Sequence, residues 1–316
     1  MLESVLIQNF KGFKNTSIGP FRKVNLLIGG QNVGKTSVLE TIYGAATINP
    51  QMAGQVFRSQ EGHDNDRFNL SYKSQGYFTA VNFDHGSGVV FAEKSMQPEQ
   101  MPITVSGRLG FGMGESLGIQ GWYIGDTTFA GAYGCSAVSV HLPSQFDFVS
   151  LFGKVILQRK KKDLISLLKQ VEGRLEGLDA IAPDGEQRIY VELDKVAQAL
   201  PIGQLGHGFN RLVHLFSALL VSDSRLALID EIENGIHYSA LPTVFEGIKA
   251  VAKDRDVQSV LTTHSWDCLR AACEVFEDTP DMFQVIRLER HDDAVKAVCI
   301  DGERMLRLMA EEREVR

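Results

Sequence analysis

Residues Gly29-Gly30-Gln31-Asn32-Val33-Gly34-Lys35-Thr36 carry the spacing G-x-x-x-x-G-K-[ST]. What flanks them makes the match constraining. Val24-Asn25-Leu26-Leu27-Ile28 is a mostly apolar run, the pattern of a strand buried on both faces. The residues from Ser37 to Tyr43 continue with helical spacing. A buried strand that turns through glycines into a helix aims main-chain N–H groups at an anion. In that setting Lys35 meets the β- and γ-phosphates and the Thr36 hydroxyl ligates Mg²⁺.

A second buried strand, Leu226-Ala227-Leu228-Ile229, ends in Asp230-Glu231. Adjacent acids do not belong inside a strand buried on both faces. At its carboxyl end they face the crevice where open α/β sheets bind ligands. Asp230 is placed to hold Mg²⁺ and Glu231 to orient or deprotonate a water attacking the γ-phosphate. Leu205-Gly206-His207-Gly208-Phe209-Asn210-Arg211 is a second glycine turn feeding an apolar helix, which reads either as a second anion site or as a flexible loop and helix start. Leu261-Thr262-Thr263-His264-Ser265 ends a further buried strand. His264 there reads either as a core or cap residue or as a hydrogen-bond donor to the γ-phosphate.

Between these motifs the chain changes character. Residues 50–70 are polar and aperiodic and read as a surface loop, and residues 4–8 as a short edge strand. From about 70 to 142, β runs at 77–83, 88–91, 103–105 and 137–141 alternate with glycine-rich turns. Spacing turns helical over 147–181, from Phe148 and Leu151 to Val171 and Leu175. Strands are predicted at 188–193, 225–229, 258–262, 283–288 and 294–300. Helices are predicted at 210–221, 241–253 and 303–312, with another capped by Ser265 and running to about residue 276.

Composition excludes several classes. With 32 basic and 39 acidic side chains the formal charge is −7, which argues against charge-driven nucleic-acid binding by the chain as a whole. The dense basic run Arg159-Lys160-Lys161-Lys162 reads either as a solvated helix face or as a contact for nucleic acid or an acidic partner. No apolar run nears the ~20 residues that span a bilayer. Met1-Leu2-Glu3-Ser4 lacks the order of a signal peptide. Cys135, Cys268, Cys273 and Cys299 show no metal-ligand spacing and read as reduced thiols. A cytoplasmic protein with no membrane partner is expected.

Taken in order, these residues resemble an ABC-type ATPase of the SMC/RecF/OLD group, in the AAA-labelled bacterial set often encoded in anti-phage defence loci. Leu6-Ile7-Gln8-Asn9-Phe10-Lys11-Gly12-Phe13 is similar to the family's first strand and Asn-Phe turn, and the stretch from Asn25 to Thr36 to its Walker A region. Leu205 to Arg211 stands where the ABC signature belongs. Leu228-Ile229-Asp230-Glu231-Ile232-Glu233-Asn234-Gly235-Ile236-His237 resembles the extended Walker B and D-loop, and the stretch from Thr262 to Ser265 the switch-histidine loop.

The resemblance implies an α/β fold, an ABC-ATPase head with a RecA-like mixed sheet, an antiparallel β-subdomain and a short helical lobe. Residues 1–316 are implied to be a single such domain, with Walker A and the β-subdomain in 1–145, the helical lobe in 146–205, and the signature, Walker B, switch histidine and C-terminal portion in 206–316. It implies ATP and Mg²⁺ as ligands. Asn32, Gly34, Lys35, Thr36 and Ser37 are the implied nucleotide-binding residues, Thr36 and Asp230 the metal ligands, Glu231 the catalytic carboxylate and His264 the γ-phosphate sensor. Gly206, His207, Gly208 and the helix from Asn210 are implied to meet the γ-phosphate of a nucleotide on a partner subunit, with Arg211 bracing that turn. Asn234 and His237 are implied at the subunit interface. For the hinge glutamine Gln145 is best placed, with Gln51 and Gln55 as alternatives.

Two departures from the family stand out. Gly206 replaces the signature serine, and His207 stands where relatives often carry another residue. Both bear on the rate of hydrolysis more than on nucleotide binding. No coiled-coil arm is expected between Thr36 and Leu205, and no nuclease half after the last helix. The implied function is ATP-driven assembly of a homodimer or higher oligomer that controls a separately encoded effector in anti-phage defence. The alternatives are a nucleotide-gated scaffold holding a toxin or nuclease with little hydrolysis, and a RecF-like DNA-repair ATPase.

Overall fold

The computed structural model describes residues 1–10, 12–47, 78–83, 88–92, 122–124, 135–138, 145–221, 225–292 and 294–311. Strand β1 (Leu2–Phe10) buries Leu2, Val5 and Ile7 and pairs antiparallel with β2 (Phe13–Ile18). The wholly buried β3 (Val24–Ile28) leads through the glycine turn into α1 (Lys35–Thr47). β4 (Phe78–Phe83), β5 (Gly88–Ala92) and β6 (Trp122–Ile124) complete an antiparallel sheet of order β2-β1-β4-β5-β6. β1 therefore lies inside a sheet, with β2 on one side and β4 on the other, and is not the edge strand its short alternation predicts.

β7 (Cys135–Val138) precedes a helical pair, α2 (Gln145–Leu157) and α3 (Lys161–Lys169). A small antiparallel sheet follows, made of β8 (Leu175–Ile181), β9 (Arg188–Leu193) and β10 (Leu200–Pro201). Then come α4 (His207–Leu220), β11 (Leu226–Ile229), α5 (Leu241–Arg255), β12 (Gln258–Thr262) and α6 (Trp266–Val275). The chain continues through β13 (Phe283–His291), β14 (Ala294–Asp301) and α7 (Gly302–Ala310).

The central sheet has the order β14-β13-β3-β12-β11-β7. Its strands are parallel except β14, which returns antiparallel along β13. Period-2 alternation divides its side chains between two cores. Val24, Leu26, Ile28, Ala227, Ile229 and Leu261 pack with the helices α2 to α6. Leu27, Leu226, Leu228, Val260, Ile286 and Leu288 pack with Val38 and Leu39 of α1 and with β1 and β2. Both faces are thus covered, the condition under which parallel strands read as continuous apolar runs.

The amino ends of three neighbouring strands carry buried amides. Gln258 accepts from Leu2 N–H at 2.7 Å and donates to Leu2 O and Arg22 O. Asn25 donates to Arg22 O and Ser259 O, and its Oδ1 accepts from Gln284 at 2.7 Å. These bonds satisfy polar groups that would otherwise cost free energy in the interior. They tie β1 and the segment before β3 to the edge of the sheet opposite the glycine turn.

Two boundaries differ from the sequence pattern. The helical spacing over 147–181 is broken at Arg159, whose φ is 58°, and Leu175 opens a strand. A register shift between Leu175 and Gly177 explains the misreading. The bulge turns Leu175 and Leu178, three residues apart, to the same buried side, which imitates a helix. The apolar helix begins at His207, not Asn210, because Gly206 at φ 87° serves as its N-cap. The loop expected at 50–70 and the strand at 103–105 lie outside the described residues, as do 139–141 of the expected run 137–141. Among the described residues no helix is long and apolar enough to cross a membrane.

Candidate nucleotide site

The carboxyl ends of β3, β11, β12 and β13 come to one edge of the sheet, and a cleft of about 340 Å³ opens there. It is lined by Gly12, Asn32, Val33, Gly34, Lys35, Thr36, Ser37, Asp230, Glu231, Thr262, His264 and Arg290. All the residues expected to bind nucleotide and metal, with Glu231 and His264, therefore share one cavity.

The glycine turn is built by close approach. Gly34 has φ 108°, and a Cβ there would stand 2.6 Å from the Phe13 ring. A Cβ on Gly29, at φ 144°, would stand 2.5 Å from Leu288 O on β13. Only glycine fits both the dihedral and the space. The turn delivers the chain to α1, whose first-turn N–H groups have no partner within the helix and face the cleft through Lys35, Thr36 and Ser37.

Lys35 is buried. Its ammonium donates to Gly29 O at 2.9 Å and Gly30 O at 3.0 Å and lies 3.1 Å from His264 Nδ1. Burial pushes Lys35 down to about 8, against the pull of Asp230, Glu231 and Glu233. A charged lysine can only donate, so Nδ1 of His264 accepts from it. The proton of the neutral ring then sits on Nε2, which faces Glu231 Oε1 at 4.0 Å.

Asp230 is also buried, and desolvation raises its carboxyl pKa against hydrogen bonds from Thr262 and Thr36. Thr262 Oγ1 donates to Asp230 Oδ1 at 2.6 Å and accepts from the Glu231 N–H at 2.8 Å. Thr36 Oγ1 lies 3.1 and 3.2 Å from the two carboxylate oxygens. Among the described residues no cluster of three His, Cys, Asp or Glu could hold a metal by itself. The Thr36 hydroxyl and a desolvated carboxylate converging on one point instead suit Mg²⁺, which takes one or two protein oxygens together with substrate phosphates. Bound there, the ion would supply neutralisation of phosphate charge.

Glu231 stands at the mouth with φ 45°, a left-handed conformation that costs about 1–3 kcal/mol in a non-glycine residue. Its side chain is about a third exposed, as is that of His264. The pair can hold a water and receive its proton at the carboxylate.

The other expected residues lie elsewhere. Gly206 caps α4 and His207 and Gly208 form its first turn; none of them lines the cleft. Gly208 packs so closely on the loop after β11 that a Cβ would stand 2.1 Å from Gly235 O. Asn234 donates its N–H to Glu231 O, and the exposed His237 caps the short 3-10 turn Tyr238–Ala240. Arg211, expected to brace its own turn, reaches the strand that carries the acidic pair. It is buried, and its Nη2 donates to Asp230 O at 2.6 Å and Glu231 O at 2.8 Å. Gln145 opens α2, but its side chain, like Gln51 and Gln55 altogether, lies outside the described residues.

Three residues that the motifs did not single out join the site. Thr262 bridges Asp230 and Glu231. Glu233 accepts the His264 N–H at 2.8 Å. Arg290 lines the cleft and donates to Asn32 O at 2.9 Å. Arg290 escaped because the strand pattern stops at 288, whereas β13 runs on to His291 and puts residue 290 at the carboxyl edge.

Comparison with known proteins agrees with this geometry. A family model described as "AAA domain, putative AbiEii toxin, Type IV TA system" matches residues 140–267, and one described as "AAA ATPase domain" matches residues 1–78. A curated "ATP/GTP phosphatase" from Helicobacter pylori is 20% identical over 332 residues, covering 88% of this chain and 89% of that one. The chain is an ATPase, and the matches support one of the SMC/RecF/OLD-like ABC type.

The fold of this ATPase is that of solved SMC heads. A head bound to the C-winged helix domain of ScpA superposes with TM-score 0.66 at 14% identity, over 97% of this chain and 99% of that one. The head from Thermotoga maritima gives 0.53 at 13% identity, over 95% and 99%. The head bound to the C-terminal domain of ScpA derived from Pyrococcus furiosus gives 0.60 at 12%, over 99% of each. The expected α/β architecture, with its mixed and antiparallel sheets, is the one found.

Proposed function

We propose that this ATPase works by nucleotide-dependent pairing of two copies, and that the pairing controls a separate effector protein. One observation carries the reading. The Gly206–Gly208 turn opens a helix N-terminus, which suits an anion, yet it lies apart from the cleft of its own chain. At Gly206 an added Cβ would meet nothing within 4 Å, so that end of α4 faces open space. A nucleotide held by Lys35 and Thr36 of one copy then completes its contacts on the turn of the other. Lys35, Thr36 and Asp230 bind nucleotide and Mg²⁺, Glu231 takes the proton of the attacking water, and His264 Nε2 donates to the γ-phosphate.

The effector is the less direct part of the proposal. Two of the similar SMC heads are described as bound to domains of a partner protein, and one family description names a putative toxin of a Type IV TA system. Both favour action through another protein, and the second favours a place in bacterial anti-phage defence. The basic run gives little support to DNA binding, since Lys160 pairs with Asp163 and Lys161 with Asp179.

The test is Glu231→Gln, which keeps the shape of the site and removes the proton acceptor. With ATP and Mg²⁺ this variant should double its mass by light scattering and hold the nucleotide. A variant that binds ATP and stays monomeric would sink the pairing model.

A further inference from the structure

The loop that carries His264 is held from outside its own strand. Its main-chain N–H donates to Glu233 Oε1 at 2.8 Å. Thr263 N–H donates to Leu27 O on β3, while within the loop Ser265 N–H goes to Thr263 Oγ1 and Ser265 Oγ caps α6 by accepting from Cys268 N–H. Ile232 N–H and Glu231 N–H tie the loop after β11 to Thr262, and the Glu233 bond extends that tie to the histidine itself.

Glu233 sits in a tight piece of that loop. Asn234 N–H donates to Glu231 O at 2.9 Å and Ile236 N–H to Glu233 O at 3.0 Å. Two residues before it is Glu231, and two after is Gly235, whose carbonyl abuts Gly208. The second carboxylate oxygen of Glu233, Oε2, is buried without a hydrogen-bond partner. An unpaired buried acceptor is a cost to the fold, so stability alone does not account for a carboxylate here.

We infer that Glu233 is a positioning residue for hydrolysis: by holding the His264 N–H it sets the spacing of the imidazole from the Glu231 carboxylate. The inference rests on the ATPase activity of the cleft and adds a third carboxylate to it, one that does not touch substrate. It also gives a route by which the loop after β11, in contact with the first turn of α4, moves the histidine. Misplacement of a reacting group by about 1 Å can cost on the order of 100-fold in rate.

The test separates binding from turnover in the full chain. Affinity is read with a fluorescent non-hydrolysable ATP analogue, and the rate with single-turnover hydrolysis of ATP. Glu233→Ala should lose about tenfold or more in rate and keep its affinity within about threefold. Glu233→Gln retains a carbonyl oxygen for the His264 N–H and should recover the rate to within about threefold. Glu233→Asp keeps the charge, falls short by one methylene, and should behave like Glu233→Ala; it replaces that variant if alanine prevents folding.

Equal losses in the glutamine and alanine variants would overturn the inference, because charge and not the hydrogen bond would then matter. Parallel loss of affinity and rate would overturn it in favour of a scaffold role. An unaffected alanine variant beside an active wild type would overturn it alone, whereas a wild type without hydrolysis would overturn the ATPase activity as well.

Discussion

Arg211 donates to the main-chain carbonyl of Glu231 at 2.8 Å, so a residue of α4 holds the backbone of the carboxylate at the mouth of the cleft. The same guanidinium reaches Asp230 O at 2.6 Å. Burial lowers the Arg211 pKa, against the pull of Asp230, Glu231 and Glu233. Arg211→Ala strands two carbonyls and frees Glu231 from its left-handed conformation. We expect a stability loss of about 2–4 kcal/mol by chemical denaturation and a fall in hydrolysis larger than the fall in nucleotide affinity. Arg211→Lys should recover little, since one ammonium does not reproduce the planar fork. Native stability in either variant would count against the bracing role.

Lys35 sets a pH limit. Its value of about 8 in the folded chain lies below the ordinary 10.5, chiefly because it is buried. The unfolded chain holds that proton more tightly, so the destabilisation is fully present below about 8 and is lost as pH rises toward 10.5. A nucleotide requires the charged lysine. Affinity should therefore fall as pH rises through about 8, and binding above that pH should take up a proton. Calorimetric titrations in two buffers of different ionisation heat would show it; constant affinity from pH 7 to about 9.5 would refute it.

Gly208 and Gly206 should respond differently to alanine. At Gly208 the new Cβ would stand 2.1 Å from Gly235 O, a backbone atom that cannot yield without moving its loop. At Gly206 there is open space but a φ of 87° and ψ of 168°, a region nearly reserved for glycine, so the cost is a local strain of about 1–3 kcal/mol. We expect Gly208→Ala to abolish ATP-dependent association in sedimentation while each chain still binds nucleotide, and Gly206→Ala to weaken association without abolishing it. The reverse order would contradict the packing.

Arg290 holds the glycine turn from the far side of the cleft through Asn32 O. Arg290→Ala should raise the KM for nucleotide about three- to tenfold and leave kcat within about twofold, the pattern of lost uniform binding. A fall in kcat at unchanged KM would place the residue with the chemistry instead.

Much of this was legible in the chain itself. Buried parallel strands write themselves as unbroken apolar runs, which is why β3, β11 and β12 and the groups at their carboxyl ends could be read directly. Residues 29–36 and 230–231 needed only local spacing. Glu233, Thr262 and Arg290 were not legible, because their partners lie 31, 32 and 258 residues away and nothing in their neighbours marks the pairing. Arg211 was placed in the right helix, but its bonds to Asp230 O and Glu231 O were not foreseen, since a helical position fixes a direction only once the packed element is known. The strand at Leu175 was lost to a bulge that copies the helical period.

The glycine turn springs from a strand whose alternate residues belong to different interiors. Leu26 and Ile28 are rooted among the helices, while Leu27 is rooted with α1 and the N-terminal sheet. The phosphate site therefore straddles a seam. Slippage of either layer past the other would pull on the same five residues, and a ligand that clamps the turn would resist it from both sides. Amide exchange should accordingly slow on nucleotide binding in β1 as well as in the carboxyl half of α4, which the ligand does not touch.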